Sequence, residues 1–416
     1  MQRADVLFLL QTTLFKAYTA ASSGELRVAL YLLQLCCGII AAAHEYDARH
    51  KQLSAAYFIR PDLLLPGDAP FRAMREARNE KAYINLLRIT PAVMDDIMSY
   101  VDHDWIAWMD GFTDHRRTQR RAGAPSMLDA YAVIALTITY FATTAQAKTL
   151  ELIFGVGHTV VGRSIAAGID KLSDALKRMP QAAIRFPNHS KQRLWARMVR
   201  DTYGPGPYPE RCFFGFVDGL RMTIMEPGDA DEQQLFYNGW TRTVNIVNVL
   251  AFAPTGEIWF AIINLPGTYN DYTAASDLFE RLHTDARLPG YAILGDSAFS
   301  SNETDRVVAT ENFDPELPEV TRQQRDAWPK YQKMVRKAVE WGMRTVQATW
   351  PRLKMPRSNS SERRDSVITC CLRLHNVIAN SLDHHNEIKT VFMDFYLRGD
   401  GHVVPRGTGA VGTGDD

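Results

Sequence analysis

The chain has 416 residues, of which 46% are hydrophobic, 23% charged and 10% aromatic. That is length and apolar material for two or three globular domains, and it excludes a largely disordered protein. Formal net charge is zero, which excludes a protein that grips nucleic acid over its whole surface; such contacts must come from local patches. The five cysteines, Cys36, Cys37, Cys212, Cys370 and Cys371, have neither disulfide-framework nor zinc-ligand spacing, and read as small buried apolar residues of a reducing compartment.

Residues 1–80 read as an N-terminal helical region. Leu7, Leu10, Leu14 and Tyr18 recur at helical spacing. Val28–Ala43 is a second apolar stretch, interrupted only by Gln34. It is shorter than the roughly 20 residues of a membrane span and reads as a buried helix, so no membrane is expected. Pro61, Pro66 and Pro70 mark a loop between helices.

Residues 81–200 read as a second helical region. Thr90-Pro91 is a cap followed by a proline in the first turn. Arg116, Arg117, Arg120 and Arg121 form a basic run, either a solvated loop or a phosphate contact. Gly155-Val156-Gly157 then separates two amphipathic stretches. The second starts near His158-Thr159 and carries Val160, Val161, Ile165, Ile169 and Leu172 on one face. This is the outline of a helix-turn-helix, although such hairpins are more often plain core. Arg163 and Lys171 are its exposed basic candidates.

"YGPGPYPE", from Tyr203, reads as a linker, after which the pattern turns to strands. "CFFGFVDG" is a buried run ending in an acid. Two strands follow around Pro254-Thr255-Gly256, a hairpin signal. Residues 271–285 read as a helix, "YAILGDSAF" as a second strand ending in an acid, and Pro329 to Trp350 as a long helix. A last helix covers roughly Asp365 to Leu382, and residues 398–416 read as a disordered tail.

The chemistry lies in the two strand ends, at Asp218 and Asp296. A carboxylate closing an apolar strand is costly to bury unless something compensates, and a divalent cation is one such compensation. The alternative is that each aspartate caps a turn. Two cations would need a third acid, and the long helix offers Glu340 among Lys333, Arg336, Lys337 and Arg344. It is a metal ligand or a salt-bridge partner. Asp271 reads first as the cap of the helix that follows it, and otherwise as an outer ligand. The order strand-Asp, hairpin, helix, strand-Asp, helix-Glu is that of an RNase H-like nuclease. The fold class expected is therefore α/β: an RNase H-like mixed sheet with flanking helices over 205–385, preceded by an all-α region. Residues 321–373 hold 13 Lys and Arg against 4 Asp and Glu, a local charge of +9 that suits a DNA backbone.

Six motifs in order, "FVDGLRMTI", "FYNGW", "LPGTYND", "LGDSAF", "VEWGMRTVQATW" and "CCLRLHNV", resemble those of the endonuclease domain of PIF/Harbinger transposases and their domesticated relatives, over about 213–380. The segment from about 82 to 176 resembles the family's helix-turn-helix region less specifically. The resemblance implies Asp218, Asp296 and Glu340 as a catalytic triad of metal ligands, two Mg²⁺ or Mn²⁺ ions, and DNA as substrate. It further implies nuclear residence and a Myb/SANT-like partner protein; a homo-oligomer is also expected. The sequence departs from the family pattern at Thr241, Val244, Asn270 and Met343, which leaves the acids intact but opens the alternative of a non-catalytic DNA-binding or scaffolding descendant. An RNase H-like enzyme acting on RNA or a hybrid is a further rival. His375 and Asn376 are expected to fix the last helix by hydrogen bonds.

Overall fold

The computed structural model describes residues 63–118, 128–284, 286–300, 307–310, 321–356, 358 and 360–381, with a few isolated positions before residue 63. Apart from those positions, the two N-terminal apolar stretches lie outside the described residues. So do Pro61, the tail and the side chains of the basic run at Arg116–Arg121.

From residue 63 onward the described residues open with seven helices: α1 (Pro70–Ala77), α2 (Glu80–Leu87), α3 (Pro91–Ser99), α4 (His103–Thr118), α5 (Ala130–Ala142), α6 (Ala147–Phe154) and α7 (His158–Arg178). Their starts are set by local chemistry. Asn79, Thr90 and Asp129 accept backbone N–H bonds at the first turns of α2, α3 and α5. Pro70, expected in a loop, opens α1, where its missing N–H costs nothing. α5 is apolar and almost wholly buried. α7 lies against it at Gly168, where any Cβ would strike the Thr137 hydroxyl. α6 and α7 meet at 92° across a left-handed Gly155, the helix-turn-helix outline. Among the described residues no single helix is long and apolar enough to cross a membrane.

After α8 (His189–Tyr203) the chain enters a six-stranded mixed sheet made of β1 (Cys212–Thr223), β2 (Tyr237–Asn238), β3 (Thr243–Phe252), β4 (Ile258–Pro266), β5 (Tyr291–Leu294) and β6 (Val308–Ala309). β3 pairs antiparallel with β1, β4 and the short β2, while β5 and β6 run parallel to β1. α9 (Ala230–Phe236), α10 (Asp271–Ala274), α11 (Ser276–Leu282), α12 (Arg322–Thr349) and α13 (Ser361–Ser381) complete the fold. The α/β architecture, a mixed sheet flanked by helices behind an N-terminal helical region, is consistent with an RNase H-like fold.

The sheet separates two cores. Phe216, Leu250 and Leu294 pack on one face with α12, α13 and the N-terminal helices. Val217, Val249 and Ile293 pack on the other with Trp195 of α8 and with Ala274 and Leu278 of α10 and α11. Alternating side chains along strands buried on both faces produce this division.

The segment from Tyr203 is an irregular connection between α8 and β1, anchored where Tyr208 is buried against Trp328 and the Gln324 amide donates to the Pro207 carbonyl at 3.1 Å. Three expectations need correction. The long helix begins at Arg322, not Pro329. A reciprocal capping box between Thr321 and Gln324 starts it, and it carries Pro329 in its interior. The single helix expected over 271–285 breaks into α10 and α11 at Ala275. Lys171 is half-buried rather than exposed, bonding Asp102 at 3.2 Å beside the Trp105 ring.

Candidate active site

Asp218 does not end its strand. β1 runs on to Thr223, but β5 stops at Leu294 and pairs with β1 no further than Phe216. Beyond that point β1 pairs with β3 alone, which leaves a notch beside Asp218. Asp218 lies opposite Leu250 in the antiparallel register, so it belongs to the face that α12 covers. Its Oδ1 accepts the N–H of Gly219 at 2.8 Å. Asp296 stands just past the end of β5 and accepts the Ala298 N–H at 3.0 Å, capping a short 3₁₀ turn. The buried Gln332 of α12 donates to the Gly295 carbonyl at 2.8 Å, tying the helix to the chain immediately before Asp296.

Asp271 lies within electrostatic reach of Asp296. The cap expected of it is made by Asn270, whose side chain accepts from Thr273 N–H at 2.7 Å. Asp271 is thereby free to lie under β1. A Cβ added to Gly219 would sit 2.8 Å from the Asp271 carboxyl carbon, so that position holds glycine for lack of space. Burial, reinforced by the negative charge of Asp296, pushes the Asp271 carboxyl above the usual carboxylate range, against the opposing pull of Arg221.

Arg221 organises the surrounding motifs, and no sequence motif singled it out. It donates to the carbonyls of Gly267 at 3.3 Å and Tyr269 at 3.2 Å, and reaches Asp271 at 3.4 Å. Asn238 of the Tyr-Asn-Gly turn donates to the same Gly267 carbonyl at 2.8 Å. A Cβ at Gly267 would collide with the carbonyls of Phe236 and Asn245. Its place three positions after Asp218, on the same strand, was the available signal for Arg221.

Glu340 is exposed and shares the outer stripe of α12 with Lys333, Lys337 and Arg344. Trp328, Tyr331, Val335, Met343 and Val346 form the stripe facing the core. The Arg336 side chain lies outside the described residues. Arg163 is exposed on α7, near the helix-turn-helix corner. Not all of the basic surplus faces solvent: Arg352 stacks on Tyr140, buried Arg364 bonds Asn264 and Ser358, and Arg373 donates to the Leu176 carbonyl.

Residues 217–376 match the family model described as DDE superfamily endonuclease. The matched stretch takes in the notch, the hairpin, α12 and the first three quarters of α13. It supports a DDE endonuclease domain over these residues, and such domains generally use divalent metals. A search of curated proteins and a search of solved structures each returned no match.

The acids fit a hard cation in kind. They offer oxygen donors only, and the Asp271 carboxyl, raised chiefly by burial and to a smaller extent by the charge of Asp296, is a group whose ionised form a cation would favour. Among the described residues, no three His, Cys, Asp or Glu side chains are grouped closely enough to enclose an ion. The structure therefore brings Asp271 within electrostatic reach of Asp296, places Asp218 on the strand that pairs with the one Asp296 follows, and leaves Glu340 exposed on α12.

His375 and Asn376 have the structural role expected of them. The His375 ring meets the Gly256 carbonyl at 3.0 Å, and Asn376 pairs with both the N–H and the carbonyl of Ile258. Together they clamp α13 to the β3–β4 hairpin. Burial drives the His375 pKa down to about 4.

Proposed function

We propose that this chain is a DNA endonuclease of the DDE transposase type, of PIF/Harbinger kind, that breaks phosphodiester bonds and can join 3′-hydroxyl ends to target DNA. One observation carries the reading: the stretch matching the endonuclease family coincides with a sheet notch flanked by Asp218 and Asp296, with the part-buried Asp271 within electrostatic reach of Asp296. Asp218, Asp296 and Glu340 are assigned as metal ligands and Asp271 as an outer one. Lys333, Arg336, Lys337, Arg344 and Arg163 are assigned to the DNA backbone. When bound, Mg²⁺ or Mn²⁺ supplies charge neutralisation at the scissile phosphate for in-line displacement. The protein's own part is to orient the carboxylates and hold the strand. We assign the nuclease unit to 205–385, behind helical units at 1–80 and 81–200, with nuclear residence, a Myb/SANT-like partner and self-association as parts of the same proposal.

Nicking of supercoiled plasmid by the purified chain in Mg²⁺ or Mn²⁺ tests it. Cleavage should need the metal and drop by at least about 10²-fold in Asp218→Asn, Asp296→Asn or Glu340→Gln, with DNA binding retained. A second reading, a DNA-binding descendant without catalysis, is favoured by the departures from the family pattern at Thr241, Val244, Asn270 and Met343. DNA binding without metal-dependent nicking, on cognate ends and with the partner present, would decide for it.

A further inference from the structure

Trp240 is 95% exposed at the tip of the Tyr-Asn-Gly turn. A tryptophan normally buries roughly 150–250 Å², so leaving one in water forgoes a large stabilisation. The ring is nonetheless carried on a rigid support. Asn238 Oδ1 accepts the backbone N–H groups of Trp240 at 3.1 Å and Thr241 at 3.0 Å, and Arg242 turns the chain through a left-handed φ of 54°. Tyr237, Leu235 and Tyr269 are partly exposed in segments joined to the same turn, through β2, through the Thr268 hydroxyl bond to the Leu235 carbonyl, and through Arg221. A run of hydrogen bonds leads from this turn, by Asn238, Gly267 and Arg221, to Asp271.

The surrounding charge selects the occupant. Arg242 and Arg221 lie on the turn and on β1, but Glu226, Asp229, Asp231 and Glu232 precede the turn and are exposed. A phosphate backbone running along residues 226–232 would meet repulsion. An uncharged aromatic face would not, and a tryptophan ring stacks on any nucleobase.

We propose that Trp240 is a stacking platform for an unpaired nucleobase of a DNA end held at the acid site. The proposal rests on the endonuclease reading of that site. Extruding one base onto a rigid ring would set the register of the neighbouring phosphate against Asp218 and Asp296.

The test uses the full chain and DNA hairpins carrying 2-aminopurine at a terminal position, unpaired or paired, in chelator so that no cleavage occurs. The expected result is quenching of the unpaired probe and a preference for it over the paired one of about 5- to 150-fold. Trp240→Ala should abolish both, while Trp240→Phe should retain most of each. Equal binding of the two probes by the wild-type chain, or unchanged quenching in Trp240→Ala, overturns the platform. Plasmid nicking in Mg²⁺ separates the two ideas. Nicking with no Trp240-dependent quenching removes the platform alone; Trp240-dependent quenching without nicking, on cognate ends and with the partner present, removes the endonuclease reading and leaves a DNA-end binding surface.

Discussion

Asp271 and His375 are both ionisable groups whose charged forms burial disfavours, and their pH signatures run in opposite directions. The Asp271 carboxyl is raised, so its contribution to stability is full below the unfolded carboxylate value and is lost as pH rises through the folded value. At neutral pH Asp271 therefore costs stability, and Asp271→Asn should raise the melting temperature in chelator. Mg²⁺ or Mn²⁺ should raise the wild-type melting temperature and have less effect on Asp271→Asn, as differential scanning fluorimetry would show; a lower melting temperature for the variant in chelator would refute the assigned cost. His375 is depressed to about 4 and stays neutral in the fold. Its contribution is complete above the unfolded value near 6.5 and falls away as pH drops from about 6.5 to about 4, by up to about 3 kcal/mol. Urea unfolding at pH 7 and pH 4.5 should show this loss, and a smaller one in His375→Gln.

At the scale of elements, two glycines on α7 make opposite predictions. Gly168 faces the Thr137 hydroxyl with no room for a Cβ, whereas Gly162 has open space around it. Gly168→Ala should cost about 1–3 kcal/mol by overpacking, while Gly162→Ala should gain about 0.5–1 kcal/mol in helix propensity. Equal effects in chemical unfolding would mean that α5 and α7 do not pack as described. Helix starts were legible because capping is local: Thr90-Pro91 and His158 needed only their neighbours in sequence. The start of α12 was misread because Pro329 looked like a first-turn residue, when Thr321 and Gln324 supply the cap and the proline is carried within the helix. The end of β1 was also misread. An aspartate after an apolar run looks like a strand end, but β3 continues to pair with β1 while β5 does not.

Across the whole molecule, the basic surplus of 321–373 divides by location. Lys333, Lys337 and Arg344 lie on the exposed stripe of α12, whereas Arg364 and Arg373 are drawn inward by carbonyl and amide partners. Substituting the first three with alanine should weaken binding to any DNA sequence. The slope of log affinity against log salt should shrink by about one for each phosphate that the variant no longer neutralises. Arg364→Ala should instead lower stability, by breaking its bonds to Asn264 and Ser358. Anisotropy titrations over a range of salt, paired with thermal melts, separate the two classes. Unaltered salt dependence in the α12 variant would remove that face from the DNA path. The helix-turn-helix offers less: α13 is bonded to the C-terminal half of α7 through Arg373, so α7 presents mainly its N-terminal part, with Arg163.

Composition, periodicity and capping signals were enough to specify the run of strand, hairpin, helix, strand and helix after Cys212 and the hairpin at Gly256, because each depends on neighbours in sequence. The clamp made by His375 and Asn376 could be anticipated too, since polar side chains on a buried helix must find partners. What needed three dimensions was every relation between distant segments. Which strand outruns which decides that Asp218 stands at a notch. Asn270 takes the cap and so releases Asp271 toward Asp296. Arg221 gathers Gly267 and Tyr269, and Glu340 falls on the outer stripe of α12. These follow from sheet register and from competition for space and hydrogen bonds among residues far apart in the chain, which no local pattern encodes.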